Sequence, residues 1–490
     1  MSQTTVPVDR IVPFHRFDDA IGLRNSILVW TLRFDDVLDA AKLRDSLNAL
    51  LSIGNWKRLG GRVRKKRDGK LEVHIPESFT PQHPAADFSH TKLDCCIDEH
   101  ALGRRLPVAT EKPRLHESST TFHEFATREN PPLTIEDYCN SDLPQIGLHV
   151  VSFTDATLVS VSWPHTMSDA VGIQTLLINW SRVMAGREIE VQHLEDVESN
   201  PLDNLEAGEG GTLKQEEWIL KSSLVSGIWF VIWVVRYIWT IIWVSQESKL
   251  IYLPARTIKA LRREAEDSLV EQTQTLVPGH IEKPFVSDGD VITAWAVRMA
   301  CLHQASQQTS QQSITIINAL DVRARLPDLF KQNTAYVGNF AFALFTTTTV
   351  GRVMSTSLGE LAHTVRQSLL EQAPQAQIRA MFQELRKTRM GALVVGTATS
   401  SPLIFSNWSK TKICEVVDFS PAVIRRGKQG PVISAPGKPV YHHSLHTKRS
   451  QTARDAFNIL GKDPAGNYWI AAWLPPRAWP RIEEEMQKLP

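Results

Sequence analysis

The stretch from Thr157 to Val183 constrains the fold more than any other part of the chain. Thr157 to Trp163 is rich in β-branched residues and reads as a buried strand. Pro164 has no N–H to give to a ladder, so the strand must end there. From Ala170 onward Val171, Ile173, Leu176, Leu177, Trp180 and Val183 recur at helical spacing. His165 therefore lies on the turn between a strand and a helix, where a side chain can be held rigidly and still face a cavity. Histidine is the side chain best suited to take a proton near neutral pH. Asp169, four residues on, can orient that histidine or pin the turn. A lone His-x-x-x-Asp spacing is common by chance, so its meaning depends on the rest of the chain.

With 490 residues there is chain enough for two or three domains. A net charge of +1 gives no reason to expect a nucleic-acid partner. The five cysteines, Cys95, Cys96, Cys139, Cys301 and Cys414, are odd in number and lack C-x-x-C spacing. They read as reduced thiols, not as a disulfide framework or a zinc site. Met1 to Pro13 has no apolar core of the kind a secretory signal needs.

Taken in order, Ser26 to Phe34 reads as a strand, and Asp39 as the N-cap of a helix over Ala40 to Leu51. Leu59-Gly60-Gly61-Arg62 leads to a hairpin turned at Asp68-Gly69. The basic run from Arg62 to Arg67 reads as a solvated hairpin flank in preference to a nuclear address. Residues 76–145 read as loops and short helices, and Gln145 to Phe153 as a strand antiparallel to the one before His165. Residues 201–214 have the composition of a linker.

Leu224 to Val244 carries one charge, Arg236, in a stretch about as long as a membrane span. At helical spacing Trp229, Trp233, Trp239 and Trp243 share one side with Arg236, and aliphatic residues fill the other. Beyond it, strands are expected at 250–253, 314–320, 340–345, 403–408, 416–419 and 468–474. Helices are expected from Pro254, from Ser287, over 357–371 and over 476–488. His442, His443 and His446 fall among Pro436, Gly437 and Pro439, which reads as a loop and not as a metal site.

Several separated motifs agree in order and rough spacing. Leu59-Gly60-Gly61-Arg62 with Asp68-Gly69 is one, and His165-Thr166-Met167-Ser168-Asp169 is the second. Ser287-Asp288-Gly289-Asp290-Val291-Ile292-Thr293-Ala294-Trp295 is the third. Asp321-Val322-Arg323-Ala324-Arg325-Leu326 with Tyr336-Val337-Gly338-Asn339 is the fourth, and Ser406-Asn407-Trp408 with Asp418-Phe419 the last. Together they make the chain resemble the BAHD superfamily of coenzyme A-dependent acyltransferases, in the style of fungal secondary-metabolite O-acyltransferases. Three positions depart from the family pattern. Ser420-Pro421-Ala422 stands in place of Gly-Trp-Gly, Ala170 in place of a glycine, and Pro164 in place of a second histidine.

The resemblance implies an α/β fold of two similar chloramphenicol-acetyltransferase-like domains, each a mixed sheet flanked by helices, with a tunnel between them. The expected division is 1–205, a connecting segment 206–248 with the Trp-rich helix, and 249–490. Acyl-CoA is implied as co-substrate with no tightly bound cofactor, and a lipophilic small-molecule alcohol as acceptor. The implied reaction moves an acyl group, acetyl by family habit, through direct attack on the thioester. His165 is the implied general base, and Ser406 the implied oxyanion donor. The sequence has no G-x-S-x-G elbow to suggest a covalent route. Asp169 is implied to pair with Arg323 or Arg325, and Asp418 to form a similar ion pair. Asn407, Trp408, Ser287 and Asp290 are implied to line the substrate or cofactor side.

A single bilayer span at 224–244 would separate His165 from Ser406, so the same reading excludes it. A buried interface helix, a helix in the membrane surface and a re-entrant turn remain. The expectation is a cytoplasmic monomer, peripheral on the cytosolic face of an internal membrane. A condensation-domain-like transferase using a carrier-protein thioester, or a silent membrane-associated protein of the same fold, are the alternatives.

Overall fold

The structure is a computed structural model, and it describes residues 9–195, 205, 216–276, 285–305, 310–330, 333–388, 391–448 and 453–490. The linker at 201–214 lies almost wholly outside the described residues.

Two sheets carry the molecule. The first has five strands in the order Tyr441–His446, Ile27–Phe34, Thr157–Pro164, Gly147–Ser152 and Asp87–Lys92. All eight residues of Ile27–Phe34 are buried, because strands flank it on both sides and helices cover its face. Helices Ala40–Leu50 and Ala170–Met184 pack on this sheet through Leu43, Leu47, Leu50, Ile173, Leu176 and Leu177. Asp39 caps the first of these helices, accepting from the amides of Ala41 and Lys42 at 2.9 and 3.1 Å.

The second sheet has seven strands in the order Ala341–Thr349, Ser313–Asp321, Ser401–Asn407, Ala456–Lys462, Tyr468–Leu474, Glu247–Leu253 and Arg114–His116. Its core is closed by helices Ala255–Leu276, Asp288–Ala305 and Leu358–Gln372. Each sheet thus has helices on its apolar face, which is how such mixed sheets hide their side chains.

The halves of the chain exchange strands. Tyr441–His446, from the C-terminal half, completes the first sheet by pairing antiparallel to Ile27–Phe34. Arg114–His116, from the N-terminal half, closes the edge of the second sheet beside Glu247–Leu253. The sheets meet where Tyr441 packs against Trp469, with ring centroids 4.7 Å apart.

Three local expectations are corrected. Residues 441–446 form a strand, not a loop, because the ladder with Ile27–Phe34 satisfies their backbone whatever their side chains. Residues 416–419 do not form a strand. A one-turn helix, Ile413–Val416, is followed by a turn in which Asp418 accepts from the Ser420 amide at 3.1 Å. The basic run is not wholly solvated either: Arg62 is buried and donates to the carbonyls of Gly60 and Pro84 at 2.6 and 3.0 Å.

The apolar segment forms a helix, Gly227–Trp243, and none of its residues is buried. It lies on the surface, which removes the buried-interface option. Among the described residues no helix is long and apolar enough to cross a membrane. Its Trp side and aliphatic side are not segregated between protein and solvent. Trp233 turns inward and donates to the Ser400 carbonyl at 3.1 Å, whereas Trp229, Trp239 and Trp243 face out beside Ile228, Val235 and Ile242.

Candidate active site

His165 follows directly on the strand Thr157–Pro164, and two backbone bonds set the turn. The His165 amide donates to the Ser26 carbonyl at 2.8 Å, and the Met167 amide to the Pro164 carbonyl at 2.8 Å. Asn339 Nδ2 donates to the His165 carbonyl at 2.8 Å and to Asp18 Oδ1 at 2.8 Å. Buried Asp18 also accepts from the Asn339 amide at 2.8 Å. The backbone of His165 is therefore tied to segments from residue 18, residue 26 and residue 339.

Burial pushes the His165 imidazole below the usual histidine range, against its own carbonyl and the Asp169 and Asp18 carboxylates, which favour the proton. Its Nδ1 is buried without a hydrogen-bond partner among the other described residues. The ring is thus biased toward its neutral form at physiological pH, the form a base requires. Burial in turn lifts the Asp18 carboxyl above the ordinary carboxylate range.

Asp169 is spent on structure. It caps the helix Ala170–Met184 by accepting from the Gly172 amide at 2.9 Å. Arg323 Nη2 reaches both Asp169 oxygens, at 2.9 and 3.0 Å, and the Phe340 amide donates to Oδ2 at 2.9 Å. Arg323 also binds Asp321 at 2.6 Å and the Gly338 carbonyl at 2.6 Å. Burial would lower the Arg323 guanidinium, but the Asp169 and Asp321 carboxylates outweigh it and hold the group above its ordinary value. Arg325 does not share the pair; it donates to the Ala373 carbonyl at 3.3 Å.

Gly172 belongs to the same lock. A Cβ there would come within 2.2 Å of the Val337 carbonyl oxygen. The helix after His165 and the Tyr336-Val337-Gly338 segment can only approach this closely with glycine at that point.

Ser406 sits near the end of Ser401–Asn407, opposite Ala319 on one side and Asn458 on the other. Its Oγ accepts from the Trp408 indole at 2.7 Å. Trp408 packs on Trp30 with centroids 5.2 Å apart, and Trp30 meets Trp163 edge-on at 5.6 Å. Three tryptophans thus connect the Ser406 strand to the strand that ends at His165.

The remaining sequence candidates have polar partners other than His165. Ser287 and Asp290 form a reciprocal cap at the start of Asp288–Ala305. The Ser287 hydroxyl donates to Asp290 Oδ2 at 2.7 Å, and the Asp290 amide to Ser287 Oγ at 3.3 Å. Their hydrogen bonds are used on each other, while Asp288 between them meets Lys462 at 3.2 Å and Tyr468 at 3.1 Å. Asn407 accepts from the Ser409 amide and hydroxyl at 2.9 and 2.6 Å. Asp418 lies 3.7 Å from Lys438, so its ion-pair partner is a lysine of the following loop. Among the described residues no cluster of histidine, cysteine and acidic side chains could hold a metal.

Three participants carry no motif: Asp18, Ser26 and His446. His446 Nδ1 is 3.1 Å from the Ser26 hydroxyl, and Ser26 is the residue whose carbonyl holds the His165 amide. Burial, followed by the nearby His165 ring, lowers the His446 imidazole to about 4. His446 and Leu445 line a cavity of about 900 Å³ that also touches His116, Lys249, Arg454 and Val244. The cavity lies where the two exchanged strands come together.

Comparison with known proteins follows the same lines. The Transferase family model matches residues 240–427. O-acetyltransferase PaAT-2 of Phomopsis amygdali is 97% identical over the full length of both chains. Acetyltransferase BOT5 of Botryotinia fuckeliana is 33% identical over 98% of this chain and 90% of its own. The solved structure of TRI101 from F. sporotrichioides, complexed with coenzyme A and T-2, covers 98% of this chain and 99% of that one, with a TM-score of 0.68 at 15% identity. Vinorine synthase covers 100% and 95% with a TM-score of 0.59 at 12% identity. The likeness to these structures establishes the two-domain fold, and the relatives establish the kinship. The chain belongs to the Transferase family, of the BAHD type, among the acyltransferases of fungal secondary metabolism.

Proposed function

We propose that this protein transfers an acetyl group from acetyl-CoA to a hydroxyl of a lipophilic small molecule, with His165 as general base. The observation that carries the reading is the way His165 is held. The imidazole, which burial biases toward its neutral form, stands on a turn fixed by Ser26, by Asn339 and by the Asp169–Arg323 pair. The names of the relatives, acetyltransferases and an O-acetyltransferase, support the acyl group and the hydroxyl acceptor. The coenzyme A named with TRI101 supports the donor.

The chemistry is direct. His165 Nε2 takes the proton of the acceptor hydroxyl as that oxygen attacks the thioester carbonyl. The C–O bond forms, and the carbonyl oxygen becomes an oxyanion. Because the Ser406 oxygen already accepts the Trp408 N–H, its own proton is free to point at that oxyanion. The tetrahedral centre then expels the coenzyme A thiolate, and protonated His165 returns the proton to sulfur. Asp169, Arg323 and Arg325 stay outside these steps, as does Asp418. Ser287 and Asp290 serve the start of their helix, and Asn407 and Trp408 hold the Ser406 end of the strand. The division 1–205, 206–248 and 249–490 remains the proposed domain plan, with one strand exchanged each way, and the protein is proposed to act as a monomer.

The test is a panel of acyl-CoA thioesters with hydroxylated lipophilic acceptors, read as free thiol and as product mass. Acetyl-CoA is expected to give thiol and a product heavier by one acetyl group in equal amounts. Thiol release without acylated product, or product formed only from carrier-protein thioesters, contradicts the reading.

A further inference from the structure

The helix Gly227–Trp243 presents a broad apolar face that nothing in the described chain covers. Ile228, Trp229, Val231, Val235, Ile238, Trp239, Ile242 and Trp243 are all about half or more exposed. Monomeric proteins rarely leave such a contiguous face open without a use for it. The helix is firmly seated from beneath, so its exposure is not a matter of fraying. Trp233 donates to the Ser400 carbonyl at 3.1 Å, and the Val225 amide to the Val394 carbonyl at 2.9 Å. Arg454 closes the C-terminal end, donating to the carbonyls of Thr240 and Val244 at 2.7 and 2.6 Å.

Length and charge select the occupant. The eight exposed side chains offer on the order of 1,000 Å² of accessible surface, more than a monomer usually leaves open. A helix of 17 residues is about 25 Å long, too short to span a bilayer, whose hydrocarbon core is about 30 Å thick. From Trp218 to Gln246 the chain has no acidic residue, and its only charges are Lys221 and Arg236. Lys221 is paired with Glu217 at 2.6 Å, whereas exposed Arg236 has no ion-pair partner among the described residues. A lone cation beside three exposed tryptophans suits the level of lipid phosphates, where tryptophan collects and an arginine can reach up from an apolar surface.

We propose that this outward face seats the protein on a phospholipid surface, with the helix in the plane of the membrane and its aliphatic residues among the acyl chains. The geometry carries one step further. Ile241, on the inward side of the same helix, and Val244, just past its end, line the cavity that reaches His446. With the helix seated, that cavity lies beside the lipid, and we infer that a lipophilic acceptor enters it from the membrane toward His446 and the neighbouring His165. This last step rests on the acyl-transfer reading; the seating does not.

The experiment is flotation of the full-length protein with phosphatidylcholine vesicles, beside Trp239→Glu/Ile242→Glu, whose side chains face away from the cavity. The wild type is expected to float, and the double variant to lose at least tenfold in vesicle-bound fraction, with an unchanged melting temperature. For an acceptor dissolved in the vesicles, the variant is expected to show a raised KM for acceptor and an unchanged KM for acetyl-CoA. A wild type that stays with the soluble fraction overturns the seating. So does a vesicle-free dimer, found by sedimentation and abolished by the same substitutions, since a second copy would then be the occupant. Flotation with no KM difference upholds the seating and overturns the route from lipid to cavity.

Discussion

At the scale of single residues, what matters most is the separation between His165, the proposed base, and the groups that hold its turn. Asp169 has four hydrogen-bonding engagements: the Gly172 amide, Arg323 through both oxygens, and the Phe340 amide. Asp169→Asn removes the charge and leaves Arg323 inside the protein with only Asp321 as a carboxylate partner. Breaking a buried pair in this way costs roughly 3–5 kcal/mol, so the urea midpoint of that variant is expected to fall well below that of His165→Ala. Equal midpoints would contradict the lock. The pH dependence of turnover gives a second prediction. Burial lowers the His165 imidazole, so kcat/KM is expected to rise with pH along a limb centred below the ordinary histidine value of about 6.5. A limb centred above that value would assign the proton to another group. His165, Asp169 and Arg323 were legible because each sits in a motif of fixed spacing. Asp18, Ser26 and His446 were not, because their roles depend on contacts across 321, 139 and 420 residues of chain that leave no local pattern.

At the scale of elements, the strand Tyr441–His446 shows where pattern reading stops. Its histidines give no apolar alternation, and the glycine and prolines before it signal a turn. Yet its burial comes from pairing with Ile27–Phe34, which no local signal encodes. Asp87–Lys92 and Arg114–His116 were hidden for the same reason, being short, polar strands at sheet edges. The histidine strand has a measurable consequence. Burial lowers His442 to about 4 and His443 to about 3. Each is then neutral in the folded chain while it takes up a proton in the unfolded chain below about 6.5. Their stabilising contribution is complete above that pH and is lost as the pH falls toward the folded values. Burial acts oppositely on Asp455, whose carboxyl rises to about 6 and favours the fold at lower pH, but one carboxyl does not offset the two imidazoles. The melting temperature is expected to drop steadily between pH 7 and pH 5, and less so in His443→Gln. A flat or rising profile would contradict this.

At the scale of the molecule, the alternation of strands and helices and the order of the motifs made two similar α/β units readable in advance. The exchange of strands was not, since register and partner are set by the packed whole. Because each sheet borrows an edge strand from the other half, a chain of residues 1–248 is expected to lack a cooperative melting transition when expressed alone, as is one of residues 249–490. The intact chain is expected to melt in one step. Independent cooperative folding of either half would show that the exchanged strands are dispensable. The arrangement brings the His165 turn, the Ser406 strand and the cavity at His446 into one body. The decisive measurement is the turnover of purified His165→Gln with acetyl-CoA and a hydroxyl acceptor, taken together with its melting temperature. Loss of about 10²–10⁴ in kcat with a wild-type melting temperature is the predicted result. Turnover above a tenth of wild type, in a variant equally well folded, would show that His165 is not the base.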